Sequence, residues 1–246
     1  MKLDEVSLTP VRQPLEGCEK QWCRVWVANV AWRRPAHDAL LDSVERARAS
    51  AYVREADCTR FVVGVALLKL VVAREEGVAP TAVRVDRRCA TCGRAHGAPS
   101  IVGSDLHVSV SHSGERVVVA ITPAGPVGVD VEEREARVAL PSTMDVLTAA
   151  EPLWNIDDLL TYWCRKESAL KATGAGLAVS PLDVVVSPAN EPARLVSYKG
   201  AALTALIADL GLGLGYAAAI TVLTSEVVSC DLVSAEALLR DGHLGE

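Results

Sequence analysis

The sequence predicts an α+β protein built from two similar halves. Both parts of the chain contain short segments in which apolar and polar residues alternate, and each also contains one strongly helical segment, at 57–75 and at 159–172. Between them, Thr122–Pro126 carries two prolines and a glycine and interrupts the apolar strands on either side. We therefore expect one half over residues 1–122 and a second over residues 127–246, without a tandem repeat.

The first half is predicted to place its long helix between strands. Its apolar run has the spacing of a buried helix, and Gly77 just beyond it is typical of a helix end. Gly114 lies in a polar turn between two apolar segments, which indicates a hairpin. In order, the predicted elements are a strand at 22–30, helices at 37–50 and 57–75, a strand at 82–86, and hairpin strands at 107–111 and 116–121.

The second half is predicted to centre on one helix that ends at Gly174 and Gly176. Residues 201–210 leave two alternatives open, because their composition suits a helix but they equally suit a strand paired with 216–222. In order, the other predicted elements are a strand at 127–132, a less regular segment at 134–158, the helix at 159–172 and a strand at 182–187.

Composition excludes several functional classes. Half of the 246 residues are hydrophobic and the mean hydropathy is +0.23, so a large core is expected. A net charge of −6 argues against a nucleic-acid-binding protein, because such proteins carry a basic face. The sequence has no signal-peptide pattern or membrane-spanning apolar stretch, and its seven cysteines lack the density of a secreted framework. We expect a cytoplasmic protein with reduced thiols and no membrane partner.

Asp130 and Glu132 lie two residues apart in an otherwise apolar strand. Residues i and i+2 of a strand share a face, so the two carboxylates project together while Val129 and Val131 face the core. Adjacent carboxylates repel and raise each other's pKa unless a cation lies between them. Taken alone, however, the pair is more typical of a solvated strand face than of a functional site.

Trp163, Glu167 and Lys171 follow at intervals of four residues and form one stripe on the predicted helix. By itself this pattern is typical of a surface ion pair beside a buried tryptophan. If the helix meets the strand, three carboxylates come together with cations at Arg165, Lys166 and Lys171 nearby. Such oxygen ligands suit Mg²⁺ bound with a diphosphate better than they suit zinc. The candidate metal ligands are Asp130, Glu132 and Glu167.

Four short motifs occur in a set order along the chain. They are Gly97-Ala-Pro99, Ser111-His-Ser-Gly114, Gly128-Val-Asp-Val-Glu132 and Trp163-x-x-Lys-Glu-Ser-x-x-Lys171. Arg60 precedes them in a Tyr-x-x-x-x-Asp-x-x-Arg context that begins at Tyr52. This order, over roughly residues 45–220, resembles the Sfp-type 4′-phosphopantetheinyl transferases.

The resemblance implies an enzyme that transfers the 4′-phosphopantetheine group of coenzyme A to a serine of an apo acyl or peptidyl carrier protein, releasing adenosine 3′,5′-bisphosphate. It implies that Asp130, Glu132 and Glu167 hold Mg²⁺ on the coenzyme A diphosphate. Glu167 is further expected to act as a general base, and Lys171 to stabilise charge on the attacked phosphate. The family fold is a single-chain pseudo-dimer of two α/β halves with coenzyme A between them, and we expect a monomer.

The resemblance also assigns the coenzyme A phosphates to side chains of the first half. Arg60, Ser111 and His112 are the expected contacts. Arg48 and Arg54 are further candidates, although a solvated helix face is the more ordinary role for both.

One position departs from the family pattern. Where the family often has Lys or Arg within Gly-x-Pro, this chain has Ala98. The phosphate contact expected there is therefore missing unless Arg88 or Arg94 supplies it from the same loop.

The carrier protein is expected to dock over 134–158, where apolar residues are equally consistent with a helix core. Fatty-acid, polyketide and nonribosomal peptide carriers all remain open. The candidate docking residues are Leu140, Met144, Val146, Leu147 and Leu153.

The sequence leaves two alternative functions open. One is another Mg²⁺-dependent phosphotransferase or nucleotide hydrolase, and the other is a non-catalytic homologue that binds coenzyme A or a carrier.

Cys89, Cys92 and His96 have the spacing of zinc ligands but supply only three of the four that a structural site needs. A loop with unligated thiols is the favoured interpretation.

Overall fold

A computed structural model of the chain describes residues 21–88, 93–94, 97–135 and 143–241. Strands and helices are mixed along these residues, which confirms the predicted α+β class. The strands are β1 (Gln21–Asn29), β2 (Val85–Asp86), β3 (Ser100–Ile101), β4 (His107–Ser113), β5 (Arg116–Thr122), β6 (Val127–Glu133), β7 (Val184–Val186), β8 (Leu195–Tyr198), β9 (Leu206–Asp209), β10 (Tyr216–Val222) and β11 (Val228–Ser234). The helices are α1 (Ser43–Ser50), α2 (Glu55–Glu76), α3 (Thr143–Val146), α4 (Ile156–Ala172) and α5 (Glu236–Asp241).

The sheet of the first half has the strand order β11-β1-β5-β4. β5 is antiparallel to both β1 and β4, whereas β11 runs parallel to β1. α2 packs on this sheet and is buried continuously from Phe61 to Ala73. The helix ends at Gly77, whose φ of 66° lies in the left-handed region that glycine adopts most readily.

The sheet of the second half has the order β6-β10-β9, with β10 antiparallel to both neighbours. α4 covers it and begins after Asn155, whose side chain accepts hydrogen bonds from the backbone N–H groups of Asp157 and Asp158. The helix lies very close to β6 at Gly128, where a Cβ atom would overlap the Ser168 carbonyl oxygen. Glycine therefore lets the helix approach the strand that carries the acidic pair.

The two sheets have the same internal order. In each set of three strands, the one that comes last in the sequence lies in the middle of the sheet. β5 lies between β1 and β4, and β10 lies between β6 and β9. Val118 and Ala120 of β5 pack with Val129 and Val131 of β6 in an apolar core between the sheets. The C-terminal strand β11 returns to pair with β1, so the first sheet is completed by residues from beyond the second sheet.

Most predicted elements are present, and the differences have local causes. The segment 37–50 is divided, because Pro35–Leu40 forms a 3-10 turn and the Asp42 side chain then caps α1. Residues 201–210 contain β9, which forms a hairpin with β10, so the strand alternative is the correct one. The strand predicted at 82–86 is shortened to β2. Within the described ranges, none of the helices has the length and apolar character needed to span a bilayer.

Candidate active site

Asp130 and Glu132 lie on the face of β6 that is turned toward α4. Their neighbours Val129 and Val131 are fully buried in the core between the sheets, as the alternation of a strand requires. Asp130 is only 3% exposed, whereas Glu132 is half-buried.

The row of side chains on α4 meets this pair. Trp163, Glu167 and Lys171 line a cavity of about 350 Å³ together with Asp130 and Glu132. Strand alternation and helical periodicity thus bring together the residues of the two motifs that lie about 30 residues apart in the printed sequence.

Lys171 is held against the acidic strand by three hydrogen bonds. Its Nζ donates to Asp130 Oδ1 at 2.6 Å, to Ser111 Oγ at 3.0 Å and to the Val129 carbonyl oxygen at 3.1 Å. The Ser111 hydroxyl in turn donates to Asp130 Oδ1 at 2.9 Å. The expected phosphate contact of Ser111 therefore competes with a structural role within the acidic group.

Arg165 and Lys166 do not offset the charge of the carboxylates, so that expectation is wrong. Both side chains are completely buried on sides of α4 that face away from the acidic pair, because successive residues of a helix are rotated by about 100°. Arg165 binds Asp209 with its Nε at 2.8 Å, and also donates to backbone carbonyl groups. Lys166 Nζ pairs with the buried Glu151 carboxylate at 2.6 Å.

Two of the carboxyl groups, those of Glu132 and Glu167, have raised pKa values in this enclosed, acidic environment. Burial raises the pKa of the Glu167 carboxyl to about 7, and the charge of Asp130 adds to the rise. Burial and Asp130 also raise the pKa of Glu132, against hydrogen bonds from Ser113 and Trp163 that lower it. A positive charge among these side chains would relieve both effects.

Two oxygen atoms indicate that a cation fits here. Asp130 Oδ2 and Glu167 Oε1 are buried and have no hydrogen-bond partner among the described residues, a costly condition for a buried acceptor. No three His, Cys, Asp or Glu side chains in the described part of the chain are gathered as a metal shell. The all-oxygen donor set nevertheless fits Mg²⁺, which commonly takes one or two carboxylates and completes its shell with phosphate and water.

Other residues that line the cavity make part of its wall basic. Arg48, Arg60 and Arg87 all line it, and Arg48 stacks on the Phe61 ring at 5.1 Å. Burial and the charge of Arg48 lower the pKa of Arg87, whose Nε is buried without a hydrogen-bond partner. The unused donor of Arg87 favours a bound anion such as a phosphate, whereas Arg60 is already bound to Asp57 and the Gly114 carbonyl oxygen.

His112 also lines the cavity, although its side chain is exposed. Surrounding protein atoms still lower the pKa of its imidazole, and the nearby charges of Arg60 and Lys171 lower it further. His112 is therefore suited to hydrogen bonding in its neutral form.

The region that carries the acidic residues is similar to a known protein family. Residues 126–221, which extend from just before β6 almost to the end of β10, match the family model of the 4′-phosphopantetheinyl transferase superfamily. The match covers somewhat less than half of the chain, and over these residues the chain is similar to that superfamily. The matched range includes both the acidic pair of β6 and the side-chain row of α4.

Two named members of the superfamily are similar to more than half of the chain. The 4′-phosphopantetheinyl transferase HetI of Nostoc sp. is 27% identical over 181 residues, which cover 70% of this chain and 75% of the relative. The L-aminoadipate-semialdehyde dehydrogenase-phosphopantetheinyl transferase of Schizosaccharomyces pombe is 29% identical over 177 residues, covering 63% of this chain and 67% of the relative.

Some side chains expected from the superfamily resemblance lie elsewhere. Arg54 is exposed and does not line the cavity. Arg94 and Ala98 are also exposed and outside it, and Arg88 pairs with Asp86 at 2.6 Å. The predicted ligands Cys89, Cys92 and His96 lie outside the described residues.

Arg87 lines the cavity, although it is not among the coenzyme A contacts expected from the resemblance. A signal for it exists, because Val83, Val85 and Arg87 alternate with the more exposed Arg84 and Arg88 in the residues leading through β2. The inward side of that alternation ends at the cavity. Tyr52 also lines the cavity and belongs to the motif that contains Arg60.

Proposed function

We propose that this protein transfers 4′-phosphopantetheine from coenzyme A to a serine hydroxyl of an apo acyl or peptidyl carrier protein. The observation that carries the proposal is one cavity in which carboxylates and arginines both line the wall. Coenzyme A needs both, because its diphosphate is the reacting group and its 3′-phosphate is a separate anion to be held. The similarity of residues 126–221 to the 4′-phosphopantetheinyl transferase superfamily supports this class of reaction.

In the proposed site, Asp130, Glu132 and Glu167 hold Mg²⁺ on the diphosphate. The unpaired oxygens of Asp130 and Glu167 support this assignment. Bound by these carboxylates, Mg²⁺ would supply positive charge that offsets the negative charge of the diphosphate.

Glu167 is the proposed general base. Its carboxylate lines the cavity and takes the proton of the carrier serine, directly or through a water molecule. The serine oxygen then forms a bond to the phosphorus that carries the pantetheine arm. The bridging P–O bond breaks and adenosine 3′,5′-bisphosphate leaves. Lys171, whose ammonium lies in the same cavity, stabilises the charge that develops on the phosphate.

Arg48, Arg60, Arg87 and His112 are the proposed contacts of the remaining coenzyme A phosphates. Arg87 makes the phosphate contact that a Lys or Arg within Gly-x-Pro often makes in the family and that Ala98 cannot make here. Its unpaired, buried Nε is the reason for this choice.

We also propose that the two halves are copies of one ancestral unit, a single-chain pseudo-dimer. The matching orders β1-β5-β4 and β6-β10-β9, each with a long helix, support this proposal. The division at residues 122–127 remains a prediction, and β11 lies with the first sheet.

The proposed carrier surface is the start of α4. Leu153, Trp154 and Ile156 are exposed there by 41%, 58% and 48%. Two of the predicted docking residues take the core alternative instead, since Val146 is fully buried and Leu147 packs against the core of the second half. Leu140 and the side chain of Met144 lie outside the described residues.

Incubation with coenzyme A, Mg²⁺ and a panel of apo carriers tests the reaction. Transfer predicts that a carrier gains the mass of one phosphopantetheine group, and the panel identifies the carrier class. Coenzyme A hydrolysis without a carrier would instead indicate a hydrolase, and tight coenzyme A binding with every carrier unchanged would indicate a binding homologue.

A further inference from the structure

Three serines bridge the two sheets where β4 runs beside β6. The Oγ atoms of Ser109, Ser111 and Ser113 accept hydrogen bonds from backbone N–H groups of β6, each exactly twenty residues later in sequence, at 3.1, 3.4 and 3.0 Å. β4 and β6 belong to different sheets, so side chains here take the place of a backbone ladder. We call these residues the serine ladder.

The ladder also determines where the serine protons point. A hydroxyl has one proton to donate, and an oxygen that already accepts a backbone N–H directs that proton elsewhere. Ser111 donates to Asp130 Oδ1 and Ser113 donates to Glu132 Oε2, both at 2.9 Å. In the same register Ser109 lies against Gly128, which has no side chain to receive a proton.

We propose that Ser113 is a positioning residue that orients the Glu132 carboxylate toward the divalent cation. The inference rests on the proposed function, because it takes Glu132 as a ligand of Mg²⁺. Ser113 is anchored by Glu133 N–H on one side and holds Glu132 Oε2 on the other, so the first half of the chain sets the direction of a carboxylate in the second. Ser111 is a poorer test of this role, since it also binds Lys171.

The serine ladder provides its own matched control. Ser113→Ala removes both a bridge between sheets and the bond to Glu132, whereas Ser109→Ala removes a bridge alone. Partners of metal ligands typically change metal affinity by about 10- to 100-fold when they are lost. We therefore expect Ser113→Ala to weaken metal binding by about tenfold or more, and Ser109→Ala to leave it unchanged.

The experiment measures Mn²⁺ binding by electron paramagnetic resonance, with saturating coenzyme A and no carrier, alongside the thermal unfolding temperature of each variant. Ser113→Ala and Ser109→Ala should lower the unfolding temperature similarly, with only Ser113→Ala raising the Kd for Mn²⁺. Ser113→Thr keeps the hydroxyl and should restore the affinity. If Ser113→Ala does not fold, the comparison of Ser113→Thr with the similarly shaped Ser113→Val replaces it.

Two results overturn the inference while leaving the proposed function intact. One is wild-type Mn²⁺ affinity in Ser113→Ala or Ser113→Val, and the other is an equal loss of affinity in Ser109→Ala. A wild-type protein that binds no Mn²⁺ in the presence of coenzyme A overturns the proposed metal site and, with it, the inference.

Discussion

At the scale of single residues, the environment of Glu167 disfavours its ionised form, and the same carboxyl group is the proposed general base. Its buried carboxyl lies near Asp130 and Glu132, and its pKa is raised to about 7. Helical spacing together with the family resemblance predicted that Glu167 lies near the acidic pair of β6. The raised pKa was not predictable in the same way, because it depends on the depth of the cavity and on an unpaired oxygen that only packing creates.

The raised pKa predicts how the stability of the metal-free protein depends on pH. Between the ordinary pKa of 4.5 and about 7, folded Glu167 binds a proton more tightly than unfolded Glu167 does. Stability should therefore fall as pH rises through this window, by about 1–2 kcal/mol after allowance for solvent screening. Denaturant unfolding in EDTA measures it. Glu167→Gln should remove this part of the slope, and an unchanged slope in that variant would refute the assignment.

Arg87 is predicted to recognise the 3′-phosphate of coenzyme A. Arg87→Ala should raise the KM for coenzyme A by about tenfold or more, the cost of a lost charge-assisted hydrogen bond. It should leave the KM for 3′-dephospho-coenzyme A unchanged. Arg88→Ala is the matched control, since Arg88 is exposed and paired with Asp86. Equal losses for both coenzymes in Arg87→Ala would contradict the role.

At the scale of elements, α4 has two functions on different sides. One side carries Trp163, Glu167 and Lys171 to the cavity, and the other is fastened by the buried cations Arg165 and Lys166. Periodicity predicted the first side well. The second was misassigned because the partners of Lys166, at Glu151 and the carbonyl groups of Val146 and Pro181, are contributed by other segments of the chain.

Lys166→Ala is predicted to damage stability more than chemistry. It leaves the buried Glu151 carboxylate without its cation, and breaking a buried ion pair in this way costs about 3–5 kcal/mol. Denaturant unfolding measures the loss. A double variant, Lys166→Met with Glu151→Gln, should recover part of it, because an amide oxygen at position 151 can still accept a backbone hydrogen bond from Thr148 or Val186. Wild-type stability in Lys166→Ala, with transfer abolished, would indicate that Lys166 acts in the site instead.

At the scale of the whole molecule, two sheets of equal order enclose a cavity lined from both halves. Their strands were largely predictable from alternation. The pairing of β11 with β1 and the bridging serines of β4 were not, because contacts across the full length of the chain leave no local pattern. The superfamily resemblance supplied the reaction, and the structure added Arg87 to the candidate contacts.

The exposed start of α4 predicts where the carrier protein docks. Ile156 precedes Trp163 by seven residues and so lies two turns away on nearly the same face of the helix. Trp154→Ala should raise the KM for the carrier about tenfold, the usual effect of losing an aromatic interface anchor, with the KM for coenzyme A unchanged. Val78→Ala, an exposed site beyond the far end of α2, is the control. Unchanged carrier kinetics in Trp154→Ala would exclude this surface.

The central claim is that the carboxylates of β6 and α4 form one catalytic, cation-dependent group. The most direct test is the rate of phosphopantetheine transfer to an apo carrier, followed by mass, for the wild type, Asp130→Asn and Glu167→Gln. The account predicts transfer by the wild type that stops in EDTA and returns with Mg²⁺. It predicts rates at least about 100-fold lower in both variants, with folding retained. Wild-type rates in either variant would contradict it.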